Sequence, residues 1–473
     1  MSGVTSYDTV KWAERRRPLD HLEQRIVSLH LADPDHDSRS VVDALRYVAS
    51  FARLTAIRNR DGEDVNVHGP LALHSAQTLE ELTQRLGGGS GLRDLASVLP
   101  ELSARTRRVR ASLLEHLPID AASLEEEVTT RKLVVVSGGG GGAGYVFPGC
   151  YDELERNGLV PDLMVGTSIG ALMSMFRARR RAFDPAPMVQ AGKMLSWTTV
   201  FRVLETEHRY GIPATLRLYL RAALGSLFRN TEGEPLQMRD LEITLYVVVT
   251  GLTVQALKHD LGYYEHLLDQ ELHRSLRARI TGVVKVLGIL REFLSRPDAL
   301  AEVVIGRSPG TEEFDVLDAA GFSAAIPGVI HYDVLRDDAR MKRVLDTLYS
   351  DYGITRLGEG GLIANVPARI GWESVTAGHF GRRNSFVLAL DCFAPNPRSP
   401  AWFPLEQAVR TANVDAHRAF ADLYLQFSRT LSPMNLVPTI PDLLEAMRWG
   451  REAIGPKMPL IREMMRPIDS LGD

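Results

Sequence analysis

A serine between glycines, Gly166-Thr167-Ser168-Ile169-Gly170, follows a short apolar run and opens a stretch with helical spacing. Side chains at Gly166 and Gly170 would collide in so tight a strand-to-helix turn, and the turn leaves the Ser168 oxygen exposed at a helix N-terminus, as a nucleophile requires. A glycine-flanked turn serine without chemistry is the plain alternative. A second signal is Gly138-Gly139-Gly140-Gly141-Gly142-Ala143-Gly144, whose consecutive N–H groups can point into one cavity. Such a cavity binds negative charge, either a phosphate or the oxyanion of a tetrahedral acyl intermediate. Gly139-x-Gly141-x-x-Gly144 also fits a dinucleotide fingerprint, but the next strand ends at Val165 and runs into Gly166, where an acidic residue should hold the ribose. No Gly-Lys-Ser/Thr follows, which excludes a P-loop. The third signal is Glu359-Gly360-Gly361-Leu362-Ile363-Ala364-Asn365-Val366-Pro367, preceded by Ala324-Ala325-Ile326-Pro327-Gly328-Val329. An ordinary Ser-His-acid triad would draw on His379 or His417, neither in a recognisable loop context; a surface or structural place is the plain reading of both.

The elements that must position these residues read as α/β from about Thr130 onward. Lys132–Ser137 is a β-branched run that breaks into the glycines, and Phe147–Arg156 has helical spacing with Gly158 as its stop. A strand over Asp162–Val165 leads into a helix over Ile169–Arg181. Ile243–Thr250 and Ser385–Asp391 are continuous apolar runs of the kind buried on both faces of a sheet. Strands alternating with helices predict a doubly wound α/β domain. Residues 254–300 read as a mostly helical insertion, and Asn413–Met465 as helical again. Before Thr130 the chain is charged and helical, with apolar stripes at Val41–Phe51 and Leu79–Leu86. Breaks fall at Asp61-Gly62, at His68-Gly69-Pro70 and at the glycine hinge beginning at Gly87. The expected organisation is a helical region of unassigned role over 1–130 and a catalytic domain over 131–473.

With 473 residues, 24% of them charged and 45% hydrophobic, the chain has the composition of a globular protein of two or three domains. A net charge of −4 gives no general attraction to nucleic acid, so none is expected as a partner. Cys150 and Cys392 are too few for a disulfide framework or a Cys-based zinc site, which predicts a reducing, cytoplasmic setting. No clustered ligand spacing calls for a metal or cofactor. The first residues lack the apolar core of a secretory signal, and no run reaches the about 18 apolar residues of a membrane span. Within the insertion, Leu276–Leu294 is apolar with cations at Arg277, Arg279, Lys285 and Arg291. It reads as a helix packed on the domain with solvated cations, or as a lid or peripheral membrane contact.

In order and spacing, the three motifs between Lys132 and Asp391 resemble the patatin-like phospholipase family. The resemblance implies a three-layer α/β/α sheet domain and hydrolysis of lipid acyl esters by a serine/carboxylate dyad without histidine, through an acyl-enzyme. Carried over, Ser168 matches the nucleophile, Gly166 and Gly170 its elbow, Gly139, Gly140, Gly141 and Gly142 the oxyanion loop completed by the Ile169 N–H, and Glu359 the dyad aspartate. Two departures stand out. Ala143 replaces the usual Arg or Lys of the loop, and Glu359 is one methylene longer than Asp, about 1 Å of carboxylate displacement unless the backbone adapts. Asp351 is the nearby substitute for the base. The expected function is therefore cleavage of fatty-acyl esters, phospholipids first; the alternative is a catalytically impaired patatin fold that binds lipid or a protein partner.

Overall fold

The computed structural model describes residues 6–34, 38–87, 92–203, 209–212, 214–253, 300–393, 414 and 416–471. The chain forms two compact units, one of Met1–Val134, Ile370–Val387 and Pro456–Asp473, the other of Val135–Arg369 and Leu388–Gly455.

The first unit is mainly helical. Its long helices are Ser6–Ala32, Ser38–Ala52, His68–Gly87 and Leu99–His116, with a hairpin of β1 (Ala56–Arg58) and β2 (Asp64–Asn66) turning at Gly62, φ 81°. The stripe read between Val41 and Phe51 supplies Val42, Leu45, Val48 and Ala49 to a core shared with Ile26, Leu82, Leu86 and Leu102. His68-Gly69-Pro70 does not break the chain; it opens a helix. Proline is tolerated in a first helical turn because its missing N–H has no intrahelical partner there. Of the Gly87 hinge, residues 88–91 lie outside the described residues. Glu23 is fully buried among Arg46, Arg53 and Arg131. Burial works against its charge, but the three guanidiniums hold the carboxyl below its usual range.

The second unit has a three-layer α/β/α fold on a seven-stranded mixed sheet. The strands of the sheet are β3 (Lys132–Ser137), β4 (Leu163–Gly166), β7 (Thr244–Thr253), β8 (Leu300–Ile305), β10 (Ile354–Glu359), β11 (Ser385–Asp391) and β12 (Leu423–Gln426), in the order β10-β7-β4-β3-β11-β12 with β8 also on β7, the first three residues of β3 and of β11 falling within the bounds of the first unit. β4 pairs parallel to β7, whereas β8 and β10 pair antiparallel to it. The strands that read as unbroken apolar runs are the buried ones: β11 is buried throughout, and β7 is buried from Leu245 to Leu252 between a more exposed Thr244 and Thr253. A smaller sheet joins β5 (Phe201–Val203), β6 (Ala214–Leu218) and β9 (Gly328–His331). The helical reading of Asn413–Met465 is corrected at β12, which pairs with β11 from Leu388↔Leu423 to Asp391↔Gln426. Four residues are too few to show a period. The helix Ile440–Ile454 follows it, and the helix Met458–Met465 belongs to the first unit. Residues 254–299, including Leu276–Leu294, lie outside the described residues.

Candidate active site

β4 delivers Gly166, and two residues later the helix Ile169–Ala178 begins with Ser168 at its N-cap. Ser168 has φ 54° and ψ −125°, and among the described residues it is the single non-glycine with positive φ. Such a conformation costs roughly 1–3 kcal/mol and persists only where neighbours over-determine it. They do so here. The Thr167 N–H donates to the Ser137 carbonyl at 3.1 Å, the Ser168 N–H to Ser323 Oγ at 2.8 Å and the Gly170 N–H to the Thr167 carbonyl at 2.8 Å. The Thr167 hydroxyl donates to the Ala364 carbonyl at 3.1 Å. A β-carbon on Gly166 would stand 2.6 Å from Ala171 Cα, so the elbow closes only around glycine.

Glu359 ends β10, opposite Val249 of β7. Its N–H donates to the Ala325 carbonyl at 3.0 Å and its carbonyl accepts the Thr250 hydroxyl at 2.7 Å, which fixes the backbone from which the side chain reaches. The Ser168 side chain and the Glu359 carboxylate are neighbours: a β-carbon on Gly139 would stand 3.2 Å from Ser168 Cβ and 3.7 Å from Glu359 Oε1. The residue is half-buried, but its carboxylate is enclosed, and Oε2 has no partner among the described residues. Burial pushes the pKa up to about 7, with the neighbouring Ser168 hydroxyl working against the rise. Asp351, by contrast, is exposed and precedes β10, while Glu359 closes the strand's other end. It is not brought to Ser168.

The glycine loop divides into engaged and free donors. The Gly139 N–H donates to the Asn365 carbonyl at 3.1 Å and the Gly142 N–H to the Pro433 carbonyl at 2.9 Å. Those of Gly140, Gly141 and Ile169 make no hydrogen bond to the described residues. Of the five N–H groups expected to line an oxyanion site, two thus hold the loop itself in place and three are unengaged among the described residues. Tight packing explains the run of glycines: a β-carbon would stand 2.6 Å from Cys392 Sγ at Gly140, 2.3 Å from the Pro433 carbonyl at Gly141 and 2.4 Å from the Asn435 carbonyl at Gly142. Gly144 lets the loop approach the elbow, since its β-carbon would stand 2.4 Å from Ile169 Cγ2. Ala143 is buried.

Ser168 opens into a cavity of about 950 Å³, its mouth included. Met173, Phe176, Met188, Phe201, Leu218 and Leu436 are among the apolar side chains that line it, and no charged side chain of the described residues does. Composition and spacing alone do not reveal this lining, because it is assembled from short segments far apart in the chain. Nor do they reveal the contacts of Ser323 and Asn365. Asn365 Oδ1 and Glu359 Oε1 stand 3.2 and 3.1 Å from where a Gly361 β-carbon would be, so both side chains crowd the same glycine.

His417 is buried and bonded to neither Ser168 nor Glu359, and its pKa is lowered to about 4, by burial and then by Arg369. His379 is exposed and belongs to the first unit. Among the described residues no three His, Cys, Asp or Glu side chains are grouped to hold a metal ion. No described helix is long and apolar enough to cross a membrane.

Compared with known proteins, residues 134–372 match the family model of patatin-like phospholipases. No curated protein matches the chain.

Proposed function

The chain belongs to the patatin-like phospholipase family, and from that premise we propose that it hydrolyses fatty-acyl esters of lipids with Ser168 as nucleophile and Glu359 as general base. The observation that carries this reading is a strained elbow serine at the wall of an apolar cavity with an enclosed carboxylate beside it.

In this mechanism Glu359 takes the Ser168 proton as Oγ attacks the ester carbonyl. A carboxylate at its ordinary pKa is a poor base for an alcohol; burial to about 7 brings it nearer to what general-base chemistry at neutral pH needs. The oxyanion that forms is received by the N–H groups of Gly140, Gly141 and Ile169. Collapse breaks the ester C–O bond, and the departing alcohol takes the proton from Glu359. Water then attacks the acyl-Ser168 carbonyl, giving its proton to Glu359, and the fatty acid leaves as Ser168 recovers its hydrogen. The cavity supplies the acyl chain's share of binding, about 0.8 kcal/mol for each methylene buried.

We also propose peripheral contact with a lipid surface. Trp197, Met434 and Leu444 are 47%, 48% and 49% exposed and lie within two residues of the cavity-lining Leu195, Leu436 and Leu443. Unpaired Cys150 and Cys392, both buried, support a cytoplasmic setting. The test of function is hydrolysis of a chromogenic medium-chain acyl ester and covalent labelling by a fluorophosphonate, both lost in Ser168→Ala and both retained in chelator. A folded wild-type chain that neither turns over nor labels would leave the impaired, lipid- or partner-binding alternative.

A further inference from the structure

The helix Val316–Ser323 ends beside the elbow, and the three residues Ser323–Ala325 at its end touch both members of the proposed dyad. Ser323 is fully buried. Its Oγ accepts the Ser168 N–H at 2.8 Å and donates its own hydrogen to the Val248 carbonyl at 2.6 Å. Two residues on, the Ala325 carbonyl accepts the Glu359 N–H at 3.0 Å. The strand beneath carries the same sequence of contacts: on β7, Val247 pairs with Gly166, Val248 holds Ser323 and Val249 pairs with Glu359.

A serine at the end of a helix commonly turns its hydroxyl back to a carbonyl of the preceding turn. Ser323 instead donates across to β7, and that choice decides its chemistry. With the hydrogen committed to Val248, only lone pairs remain to face Ser168, so the Ser323 hydroxyl acts there as an acceptor of fixed direction. The group it accepts is the N–H of the one described non-glycine residue held at positive φ. Without Ser323 that N–H would be a buried donor with no partner, and the peptide would gain by rotating toward ordinary backbone, carrying Oγ away from Glu359.

We infer that Ser323 is a positioning residue for the reaction: its hydroxyl, anchored on Val248, holds the Ser168 peptide in the conformation that presents Oγ to Glu359. This rests on the hydrolase reading above. Ser323 touches neither substrate nor the transferred proton; it acts through Ser168.

The experiment compares the full-length wild type with Ser323→Ala, Ser323→Cys and, as a control for loss of a buried hydroxyl elsewhere, Ser374→Ala. Each is titrated to saturation with a fluorophosphonate to count competent sites, and hydrolysis of a soluble medium-chain ester is expressed per titrated site. Expected for Ser323→Ala is a kcat per site lower by about tenfold to a hundredfold with KM within about threefold, since a displaced nucleophile loses reactivity rather than binding. Ser323→Cys, which keeps a weak donor and acceptor in place, recovers part of the loss, and Ser374→Ala matches wild type. A purely structural serine would lower the number of sites or the melting temperature but leave turnover per site unchanged; turnover within about twofold of wild type in Ser323→Ala overturns the inference. Should Ser323→Ala not fold, the same threshold is applied to Ser323→Cys. A wild-type chain that is folded, inactive and unlabelled overturns the hydrolase reading and this inference together, an outcome distinct from the others.

Discussion

Gly170 lies so close beneath β3 that a β-carbon on it would stand 2.0 Å from the Ser137 carbonyl oxygen, the same oxygen that accepts the Thr167 N–H. One carbonyl thus receives the elbow's hydrogen bond and forbids a side chain two residues after Ser168. Gly170→Ala must push the helix off β3, and overpacking of this kind costs about 1–3 kcal/mol. The expected result is a lower melting temperature together with a fall of at least about a hundredfold in ester turnover, because the shift moves the residue that carries Oγ. A variant with wild-type turnover would mean that the elbow tolerates the displacement its packing forces.

Much of this arrangement was legible in the chain because its signals are local. β4, the elbow and the helix Ile169–Ala178 are contiguous, and an apolar run, a G-x-S-x-G and helical spacing each occupy a few residues. What stayed hidden depends on contacts between distant segments. Nothing near Gly139 or Gly142 announces that Asn365 and Pro433 will take their N–H groups, so an apparently uniform run of donors was really two anchors around two free groups. Ser323 is chemically anonymous in the sequence: only the tertiary fold brings a lone helix-end serine to the one N–H that needs it. The same limit hid β12, whose four residues become a strand through pairing with β11 rather than through any pattern of their own.

The histidines are expected to matter for stability and not for turnover. His379→Gln and His417→Gln should each leave ester hydrolysis within about tenfold of wild type, whereas a loss of several orders of magnitude with the fold intact would replace the dyad by a triad. Acid should tell the buried ones apart. The pKa values of His74 and His417 are both lowered to about 4, by burial first and then by Arg105 and Arg369 respectively. Unfolded histidine binds its proton near 6.5. Between those values the unfolded state holds more protons, so the stabilisation present above about pH 6.5 is lost as pH falls through 4, at most about 3 kcal/mol for each histidine. Urea midpoints at pH 7 and 4.5 should therefore converge in His417→Gln relative to wild type; an unchanged acid slope would show that His417 titrates normally.

Trp197, 47% exposed, tests the lipid surface. Burying an aromatic side chain of this size at an interface contributes about 1.5–3 kcal/mol. Trp197→Ser is expected to lower hydrolysis of phosphatidylcholine vesicles by about tenfold or more while leaving a soluble short-chain ester within about twofold. Equal losses on both substrates would place Trp197 in the support of the cavity and not at a membrane.

Glu359 is the residue on which activity itself turns. With its pKa near 7, it is half-ionised at neutrality, so kcat/KM for a soluble ester should rise with pH through about 7 and then level off. Stability should move the other way. Below its usual value of 4.5 the carboxyl is protonated folded and unfolded; between 4.5 and 7 the folded state keeps a proton the unfolded state gives up, so stability falls as pH rises; above 7 the full penalty, about 3 kcal/mol at most, persists. Glu359→Gln removes both effects at once. It should be more stable than wild type at pH 8 and slower by on the order of 10³-fold, as should Glu359→Ala in rate, because Ser168 loses its proton acceptor while the N–H groups of Gly140, Gly141 and Ile169 stay in place. Glu359→Asp is the informative change. It shortens the reach by about 1 Å from a backbone pinned at Ala325 and Thr250, so if the chain has adapted to the longer side chain, turnover falls by about tenfold to a hundredfold. Equal activity in wild type and Glu359→Gln would show that the base lies elsewhere. An inert wild type that gains substantial turnover as Glu359→Asp would mean that the natural glutamate disables the site, and the lipid- or partner-binding alternative would then account for the cavity.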